Sequence, residues 1–314
     1  MRPAFSVIFL TTLIGAGQGL FIALYVTELG ASLGAWALPP APYFALGCVL
    51  SLCLLGGGLL SSFFHLGRPE RAWRSAAMWR TSWLSREVIA LPLFMAAVAA
   101  FGLAHLLHGA GELTLALGAA GLALALLLFL CTGMIYACIQ FLQEWHTPLT
   151  VVNYTLFGCA SGFLLATAWA AALAPDLVGA SALWTAGFTV AALVTRAATL
   201  ARNASLRPKS TLQTAIGVKH PRIAQKSTGF MGGSFNTREF SHASPAARLR
   251  AAKWAFLLLV FPLPLALLAA GTALASAAVL ASAFALQYLG LLAERWFFFA
   301  QARHPQNLYY QAIS

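Results

Sequence analysis

The sequence predicts an all-α integral membrane protein, a bundle of about eight transmembrane helices that forms a single domain over residues 1–314. Hydrophobic residues make up 60% of the chain and charged residues only 9%, which is too few charges to cover a soluble domain. The mean hydropathy is +0.79. Several stretches without Asp, Glu, Lys or Arg reach the roughly 20 apolar residues that one membrane-spanning helix needs.

These uncharged stretches place the individual helices. The first follows Arg2 and is too long for a cleaved secretory signal, so we expect this helix to stay in the mature protein. The last, from Trp254 to Ala293, is about twice the length of one span and has small residues near Gly271 and Thr272, which predicts a helical hairpin. The predicted helices lie near residues 5–27, 41–64, 86–108, 113–142, 149–174, 178–201, 252–271 and 274–300.

The basic residues predict the orientation of the bundle. The net charge is +11, and with eight spans the basic segments all fall on the side of the N-terminus. They contain Arg2, Arg68, Arg71, Arg74, Arg80, Arg86, the run from Arg196 to Lys253, Arg295 and Arg303. The opposite connections carry acids such as Glu28, Glu112 and Asp176. The positive-inside rule therefore places both termini in the cytoplasm, and the charge points to membrane lipid rather than nucleic acid as its partner.

The cysteines and the known catalytic motifs give no sign of chemistry within the chain. Cys48, Cys53, Cys131, Cys138 and Cys159 all fall inside predicted helices and form no CxxC pair. We expect them to behave as small hydrophobic side chains, without a disulfide or an iron–sulfur cluster. The sequence has no phosphate-binding glycine loop, HExxH motif or Ser/His/Asp arrangement.

The segment 202–250 is expected to be a cytoplasmic docking loop. It is rich in Gly, Ser, Thr and Lys and has no apolar period strong enough for a core of its own. A solvated basic linker that touches anionic lipid is the alternative interpretation. Docking is favoured by aromatic residues, which are enriched in interface cores. The candidate docking residues are Arg71, Arg74, Phe230, Phe235, Arg238 and Tyr309.

The segment from Ser61 to Glu87, SSFFHLGRPERAWRSAAMWRTSWLSRE, carries the functional hypothesis. His65 closes the second predicted helix and Glu87 opens the third, so both are expected at the cytoplasmic interface. Ionisable groups at the edge of a long apolar span are costly and mark candidate proton or ligand sites. Because quinone chemistry couples two electrons to two protons, a histidine bonded to a quinone oxygen and a proton-carrying glutamate would suit it.

A purely structural role is the alternative for both residues. Glu87 would complement the dipole of its helix, with Ser85 or Ser82 as the N-cap, and His65 would bond to the last carbonyl groups of its own helix. Between them, basic and aromatic residues interleave in a manner typical of an interfacial segment. These residues are Arg68, Arg71, Arg74, Trp73, Trp79 and Trp83.

The run HLGRPERAWR followed by TSWLSRE resembles the hallmark of the membrane-anchor subunits of dimethyl sulfoxide reductase-type molybdoenzymes. The likeness extends through Tyr136 to the closing LLAERWFFF, although only Ser61 to Glu87 is specific. The resemblance implies an eight-helix anchor without haem that binds ubiquinone or menaquinone. It also implies an iron–sulfur subunit and a molybdopterin catalytic subunit as partners, with the clusters and the molybdenum confined to them.

The resemblance also implies site residues. The quinone-binding candidates are His65, Gly67, Arg68, Glu87, Tyr136 and Lys253, with Arg250 as an alternative to Lys253. His65 and Glu87 are the candidates for proton transfer. The long loop containing GFMGGSFNTREF is more similar to anchors of cytoplasmic sulfite-oxidising enzymes, which implies electron flow from sulfite to quinone. A menaquinol-oxidising, reductase-like anchor is the alternative.

Two other classes of membrane protein compete with the quinone-binding anchor. A haem-b anchor needs histidines that face each other across helices at two depths, whereas His105 and His108 are expected at one end and His65 and His146 at the other. A secondary transporter is expected to have charged groups or broken helices near the midplane, often in repeated halves. Here the ionisable groups gather at one face.

Overall fold

The computed structural model describes residues 4–226, 246–305 and 307, and these residues form helices and connections without a strand. The helices are α1 (Phe5–Ser32), α2 (Ala41–Phe63), α3 (Trp83–His108), α4 (Glu112–Ala137), α5 (Pro148–Leu173), α6 (Val178–Ala204), α7 (Leu212–Ile216), α8 (Ala246–Val260), α9 (Pro262–Ala273) and α10 (Ala277–Ala300). Short 3₁₀ helices lie at Pro69–Ala76 and Pro175–Leu177. Four predicted docking residues, Phe230, Phe235, Arg238 and Tyr309, lie outside the described residues.

Eight membrane-spanning segments are present in the described part of the chain, which confirms the predicted fold class. Six are single α-helices, one is α6 with the 3₁₀ helix that precedes it, and α8 and α9 together form the remaining span. The chain alternates direction, because the end of α1 meets the start of α4 at one end of the bundle and the start of α3 meets the end of α4 at the other. We call the end at which α1 begins the N-terminal face.

The centre of the bundle is α1, which packs against α2, α4, α5 and α10. The contact with α5 is made backbone to backbone, since a Cβ atom added at Gly162 would overlap backbone atoms of Gly19 and Leu20. Gly15 and Gly19 of α1 face Gly158 and Gly162 of α5. Two small-xxx-small pairs therefore meet, an arrangement that lets membrane helices approach closely.

Two helix ends differ from the predicted boundaries. α4 ends at Ala137 rather than near residue 142, because the His146 ring nitrogen Nδ1 lies 2.6 Å from the Ala137 carbonyl oxygen and satisfies a group that the helix end leaves free. α1 continues to Ser32 instead of ending near residue 27. Glu28 therefore lies inside the bundle, where it is 1% exposed, and not in a connection.

The seventh predicted helix, 252–271, is interrupted, which its hydropathy pattern did not predict. Pro262 lacks an amide hydrogen and restricts the backbone of the preceding residue, so Phe261 adopts a non-helical conformation between α8 and α9. The predicted hairpin is confirmed. α9 ends at Ala273, and Ala275, with a φ angle of 47°, turns the chain into α10.

Candidate functional site

Glu87 is held inside the bundle at the N-terminal face. Ser82 caps α3 by accepting a hydrogen bond from the Ser85 amide group at 3.4 Å, so Glu87 follows one turn after the helix start. Its side chain is 8% exposed, and the Thr132 hydroxyl of α4 donates a hydrogen bond to it. The N-cap role therefore belongs to Ser82, and Glu87 is directed into the bundle towards α4.

A narrow cavity adjoins Glu87. Its volume suits about one water molecule. The lining residues come from α1, α3, α4 and α5: Thr11, Ile14, Gly15, Gln18, Glu87, Phe129, Thr132 and Tyr154. Gln18 also donates a hydrogen bond to the Ala125 carbonyl at 2.9 Å, which ties α1 to α4 at the inner end of the cavity. The polar lining gives Glu87 hydrogen-bonding neighbours in an otherwise apolar region.

Tyr136 and Tyr154 form an aromatic pair next to this cavity. Their ring centroids are 5.6 Å apart and the planes are nearly parallel, at 17°. Tyr136 follows Thr132 by one helical turn, so both lie on the side of α4 that faces Glu87 and α5. Trp145, Phe298 and Phe299 also pack around Tyr136, with centroid distances of 5.5, 5.5 and 5.3 Å. The predicted candidates Glu87 and Tyr136 thus belong to one site.

Arg295 packs against the ring of Tyr154. Its guanidinium carbon is 3.6 Å from the centroid of the Tyr154 ring, and the residue is 3% exposed. The charge pattern of the sequence groups Arg196 and Arg295 with the basic residues on the side of the N-terminus. Their side chains are not exposed there: both are buried between helices, where they contact the carboxylate of Glu294.

Other predicted site residues lie away from the cavity. His65, Gly67 and Arg68 are exposed in the connection after α2 and do not line the described cavity around Glu87. Partial desolvation lowers the pKa of His65, so its imidazole is neutral at pH 7 and offers one donor and one acceptor. Lys253, in α8, is half-buried, and its Nζ lies 5.8 Å from the ring centroid of Trp254.

The connection between α2 and α3 presents arginine–tryptophan pairs. The guanidinium carbons of Arg74, Arg80 and Arg86 lie 5.5, 5.4 and 4.2 Å from the ring centroids of the tryptophans that precede them at Trp73, Trp79 and Trp83. Arg71, a predicted docking residue, is exposed and lies 3.9 Å from the Glu70 carboxylate. Such amphipathic pairs are typical of a membrane interface.

A second buried carboxyl group, Glu28, lies at the opposite face. It accepts a hydrogen bond from the Thr114 hydroxyl, and the Nε2 atom of His105 lies 3.4 Å from its Oε2 atom. His105 is stacked on Phe44 with a centroid distance of 4.2 Å. Both ionisable side chains are 1% exposed, so this pair is enclosed by protein.

Phenylalanine rings separate the two polar regions. Phe21 contacts Phe94 and Phe101 edge to face, with a centroid distance of 5.4 Å in each pair. Along α1 this layer lies between Gln18, at the inner end of the Glu87 cavity, and Glu28. The Glu87 cavity therefore lies on the N-terminal side of this apolar layer, and the Glu28 pair lies on the other side.

Several residues of the site were not predicted from the sequence. Gln18 and Thr132 are polar positions within apolar spans, which is a signal that could have identified them. Glu294 and Arg295 stand in an otherwise uncharged span and carry the same signal. Tyr154 has no comparable signature, because only the packing of α5 against α1 and α4 brings it to Glu87.

The arrangement can hold a proton and orient a polar ligand at the membrane edge. The Glu87 carboxyl group can accept or donate a proton, and Thr11, Gln18 and Thr132 offer hydrogen bonds within the cavity. The aromatic pair offers flat apolar surfaces, and Arg295 adds a positive charge behind it. The described residues contain no cluster of three or more His, Cys, Asp or Glu side chains suited to a metal ion.

Comparison with known proteins identifies the family. The DMSO reductase anchor subunit (DmsC) family matches residues 1–223, which include α1 to α6 and the whole Glu87 cavity. The chain is also 52% identical to a sulfite dehydrogenase subunit of Allochromatium vinosum, and the similarity covers 100% of both chains. With its eight apolar spans, the chain therefore belongs to the family of DMSO reductase membrane-anchor subunits.

Proposed function

We propose that this anchor binds quinone beside Glu87 at the N-terminal face and passes electrons between an iron–sulfur partner subunit and the quinone pool. The observation that carries the proposal is a buried carboxyl group that lines a polar cavity in the bundle. Buried ionisable groups in membrane helices are costly and are found mainly where function requires them. Glu28 is enclosed by Thr114 and His105, whereas Glu87 lines a cavity with room for about one water molecule.

The chemistry of quinone reduction suits these side chains. A quinone takes up two electrons and two protons to become a quinol, and it releases them in the reverse reaction. Glu87 would transfer protons between the ring and the aqueous side, with His65 as a hydrogen-bond partner nearer the surface. Because the cavity has room for little more than a water molecule, the quinone ring would lie at its mouth and the cavity would serve proton transfer.

The position of Glu87 along α3 suits electron transfer from a partner at the same face. Glu87 is four residues after Trp83, which corresponds to about 6 Å along the helix. The hydrocarbon core is about 30 Å thick. A cluster in a partner subunit at the N-terminal face would therefore be far closer to Glu87 than to Glu28.

The contacts of His105 and His146 support a function without haem in this subunit. His105 faces Glu28 and stacks on Phe44, and the ring nitrogen of His146 lies against the Ala137 carbonyl. Two candidate axial ligands are thus already engaged at opposite ends of the bundle. We propose that the iron–sulfur clusters and the molybdopterin are confined to the two partner subunits.

The N-terminal face is proposed to be cytoplasmic, with the protein in the bacterial inner membrane. The arginines between α2 and α3 support this orientation through the positive-inside rule. The exposed Arg71 and Arg74 would help to dock the iron–sulfur subunit at this face, together with the loop 202–250. The surrounding tryptophans would rest at the lipid headgroups.

The direction of electron flow is proposed to be from sulfite to quinone. The 52% identity to a protein named as a subunit of a sulfite dehydrogenase favours this direction. The match to DMSO reductase anchors favours the reverse, with menaquinol as the donor. Sulfite-dependent reduction of quinone by the purified complex distinguishes them, since a reductase-type complex would instead oxidise quinol with an S-oxide or N-oxide acceptor.

The experiment that tests the quinone site compares His65→Ala and Glu87→Gln in the assembled complex. Loss of the proton carrier is expected to lower quinone-coupled turnover by about a hundredfold in Glu87→Gln. Turnover with a soluble artificial electron carrier should stay unchanged, because that carrier bypasses the membrane subunit. His65→Ala is expected to lower the quinone-coupled rate less, since His65 is exposed.

Glu112→Gln is the control, because it removes a carboxylate from the first turn of α4 at the opposite face. It should leave both rates unchanged. Unchanged quinone-coupled turnover in Glu87→Gln and His65→Ala, with the complex assembled, would contradict the proposed site. A secondary transporter would instead take up a substrate in cells that lack both soluble subunits.

A further inference from the structure

A buried cluster of charges lies behind the aromatic pair. Arg196 comes from α6, and Glu294 and Arg295 come from α10. An Arg196 Nη2 atom lies 2.6 Å from one Glu294 carboxylate oxygen, and an Arg295 Nη1 atom lies 3.4 Å from the other. Arg196 and Glu294 are 1% exposed and Arg295 is 3% exposed, so we call these residues the buried triad.

The buried triad carries one positive charge in excess, because two guanidinium groups share a single carboxylate and arginine is not deprotonated in proteins. An unbalanced charge within a membrane bundle is costly. Aromatic faces reduce this cost by cation–π interaction. Arg196 lies 5.4 Å from the ring centroid of Phe256 and 5.7 Å from that of Phe297.

The excess charge is directed towards the Glu87 site through Tyr154. The Arg295 guanidinium lies 3.6 Å from the Tyr154 ring centroid, and the same tyrosine lines the cavity with Glu87. Tyr136 stacks on Tyr154. Arg295 and Glu87 both interact electrostatically with each of these tyrosines. Tyr154 therefore contacts a fixed cation and also lines the cavity beside which the negative charge of a reduced quinone would develop.

We infer that the buried triad is an electrostatic positioning element that makes the Glu87 site favour ligands in their anionic form. This inference rests on the proposed quinone site and adds a residue that acts on it without touching the ligand. When an electron reaches a quinone before its proton, the ring carries a negative charge. A preorganised positive charge in a water-poor region stabilises that charge, since the interaction is screened less than in water.

The triad is built so that its excess charge can be removed without leaving a lone ion. If a neutral residue replaces Arg295, Arg196 and Glu294 remain as an ion pair 2.6 Å apart. If a neutral residue replaces Arg196, Glu294 and Arg295 remain as an ion pair. Glu294 and Arg295 lie beyond residues 1–223, so the match to the anchor family gives them no role.

The experiment measures binding of two naphthoquinones to the whole complex in lipid nanodiscs at pH 7.5. The anionic probe is 2-hydroxy-1,4-naphthoquinone, which is ionised at this pH. The neutral probe of similar size is 2-methyl-1,4-naphthoquinone. Arg295→Gln should weaken binding of the anionic probe on the order of tenfold relative to binding of the neutral probe. This is the effect expected when one charge is removed from a partly buried site. If the role of Arg295 is purely structural, Arg295→Gln would weaken binding of both probes equally.

Three further variants keep the test decisive. Arg295→Lys keeps the charge and should preserve the preference for the anionic probe. Arg196→Gln removes the same net charge, because Arg196 is the other arginine that contacts Glu294, and it should reduce the preference for the anionic probe. This variant provides the test if Arg295→Gln fails to assemble. Arg207→Gln removes an exposed arginine beyond α6 and should change neither affinity.

The outcomes separate this inference from the proposed function. If the unaltered complex binds both probes in competition with quinone, and neither Arg295→Gln nor Arg196→Gln changes the ratio of their affinities, the inference is overturned while the quinone site stands. If the unaltered complex binds neither probe, the proposed function fails first and the inference fails with it. A selective loss of the anionic probe in both variants supports the inference.

Discussion

At the scale of single residues, Glu28 and Glu87 share one kind of hydrogen bond but have different surroundings. Each carboxyl group accepts a hydrogen bond from a threonine of α4, Thr114 for Glu28 and Thr132 for Glu87. These threonines are eighteen positions apart, which is five helical turns, so they lie on one face of α4 about 27 Å apart. The two carboxyl groups therefore lie near the two membrane surfaces.

Their neighbours give these carboxyl groups different roles. Glu28 faces the imidazole of His105, and this pair is enclosed on all sides. Glu87 faces a cavity lined by Thr11, Gln18 and Tyr154. We therefore propose a structural role for Glu28 and a chemical role for Glu87.

Substitution of Glu28 tests this division of roles. Glu28→Ala would leave His105 and the Thr114 hydroxyl buried without their partner, so we expect a loss of about 3 kcal/mol in the free energy of unfolding. Glu28→Gln keeps an acceptor for Thr114 and should lose less. Thermal unfolding of the detergent-solubilised anchor measures both. Equal stability of Glu28→Ala and the unaltered protein would refute the structural role.

At the scale of helices, the contact between α1 and α5 positions the site. Gly15, Gln18 and Tyr154 all line the cavity, so the separation of these two helices sets its width. The Gly19 and Gly162 backbones touch and leave no space for a side chain. Close packing of small residues takes the place of the hydrophobic effect, which does not act between helices in lipid.

A methyl group at this contact should disturb the cavity as well as the stability. Gly162→Ala is expected to push α5 away from α1, to destabilise the anchor by about 2 kcal/mol and to lower quinone-coupled turnover severalfold. Gly187→Ala in α6 is the matched control, since a Cβ atom there meets nothing within 4 Å. Thermal unfolding and quinone-coupled assays of the two variants make the comparison. Equal effects of both substitutions would show that the helix contact does not control the site.

At the scale of the whole molecule, the bundle was predictable because membrane insertion is encoded locally. Runs of apolar residues identify spans, and the predicted boundaries at 41–64 and 149–174 agree with α2 and α5 within one residue. The break at Pro262 and the early end of α4 depend on single side chains, and a hydropathy pattern does not resolve them.

The site itself was only half predictable for a related reason. Glu87 and Tyr136 stand at the edges of apolar spans, where polarity and a resemblance mark them. Tyr154 and Arg295 reach the same place through α5 and α10, which are more than a hundred residues apart in the chain. Their proximity comes from tertiary packing. The sequence pattern does not predict which residues of distant helices meet.

The most direct test of the central claim is photoaffinity labelling of the assembled complex with an azidoquinone, followed by mass spectrometry of the labelled peptides. We expect labels on the start of α3 around Glu87 and on the end of α4 around Tyr136, and excess unlabelled quinone should suppress them. Labels confined to the opposite face, near Glu28 and His105, would contradict the account.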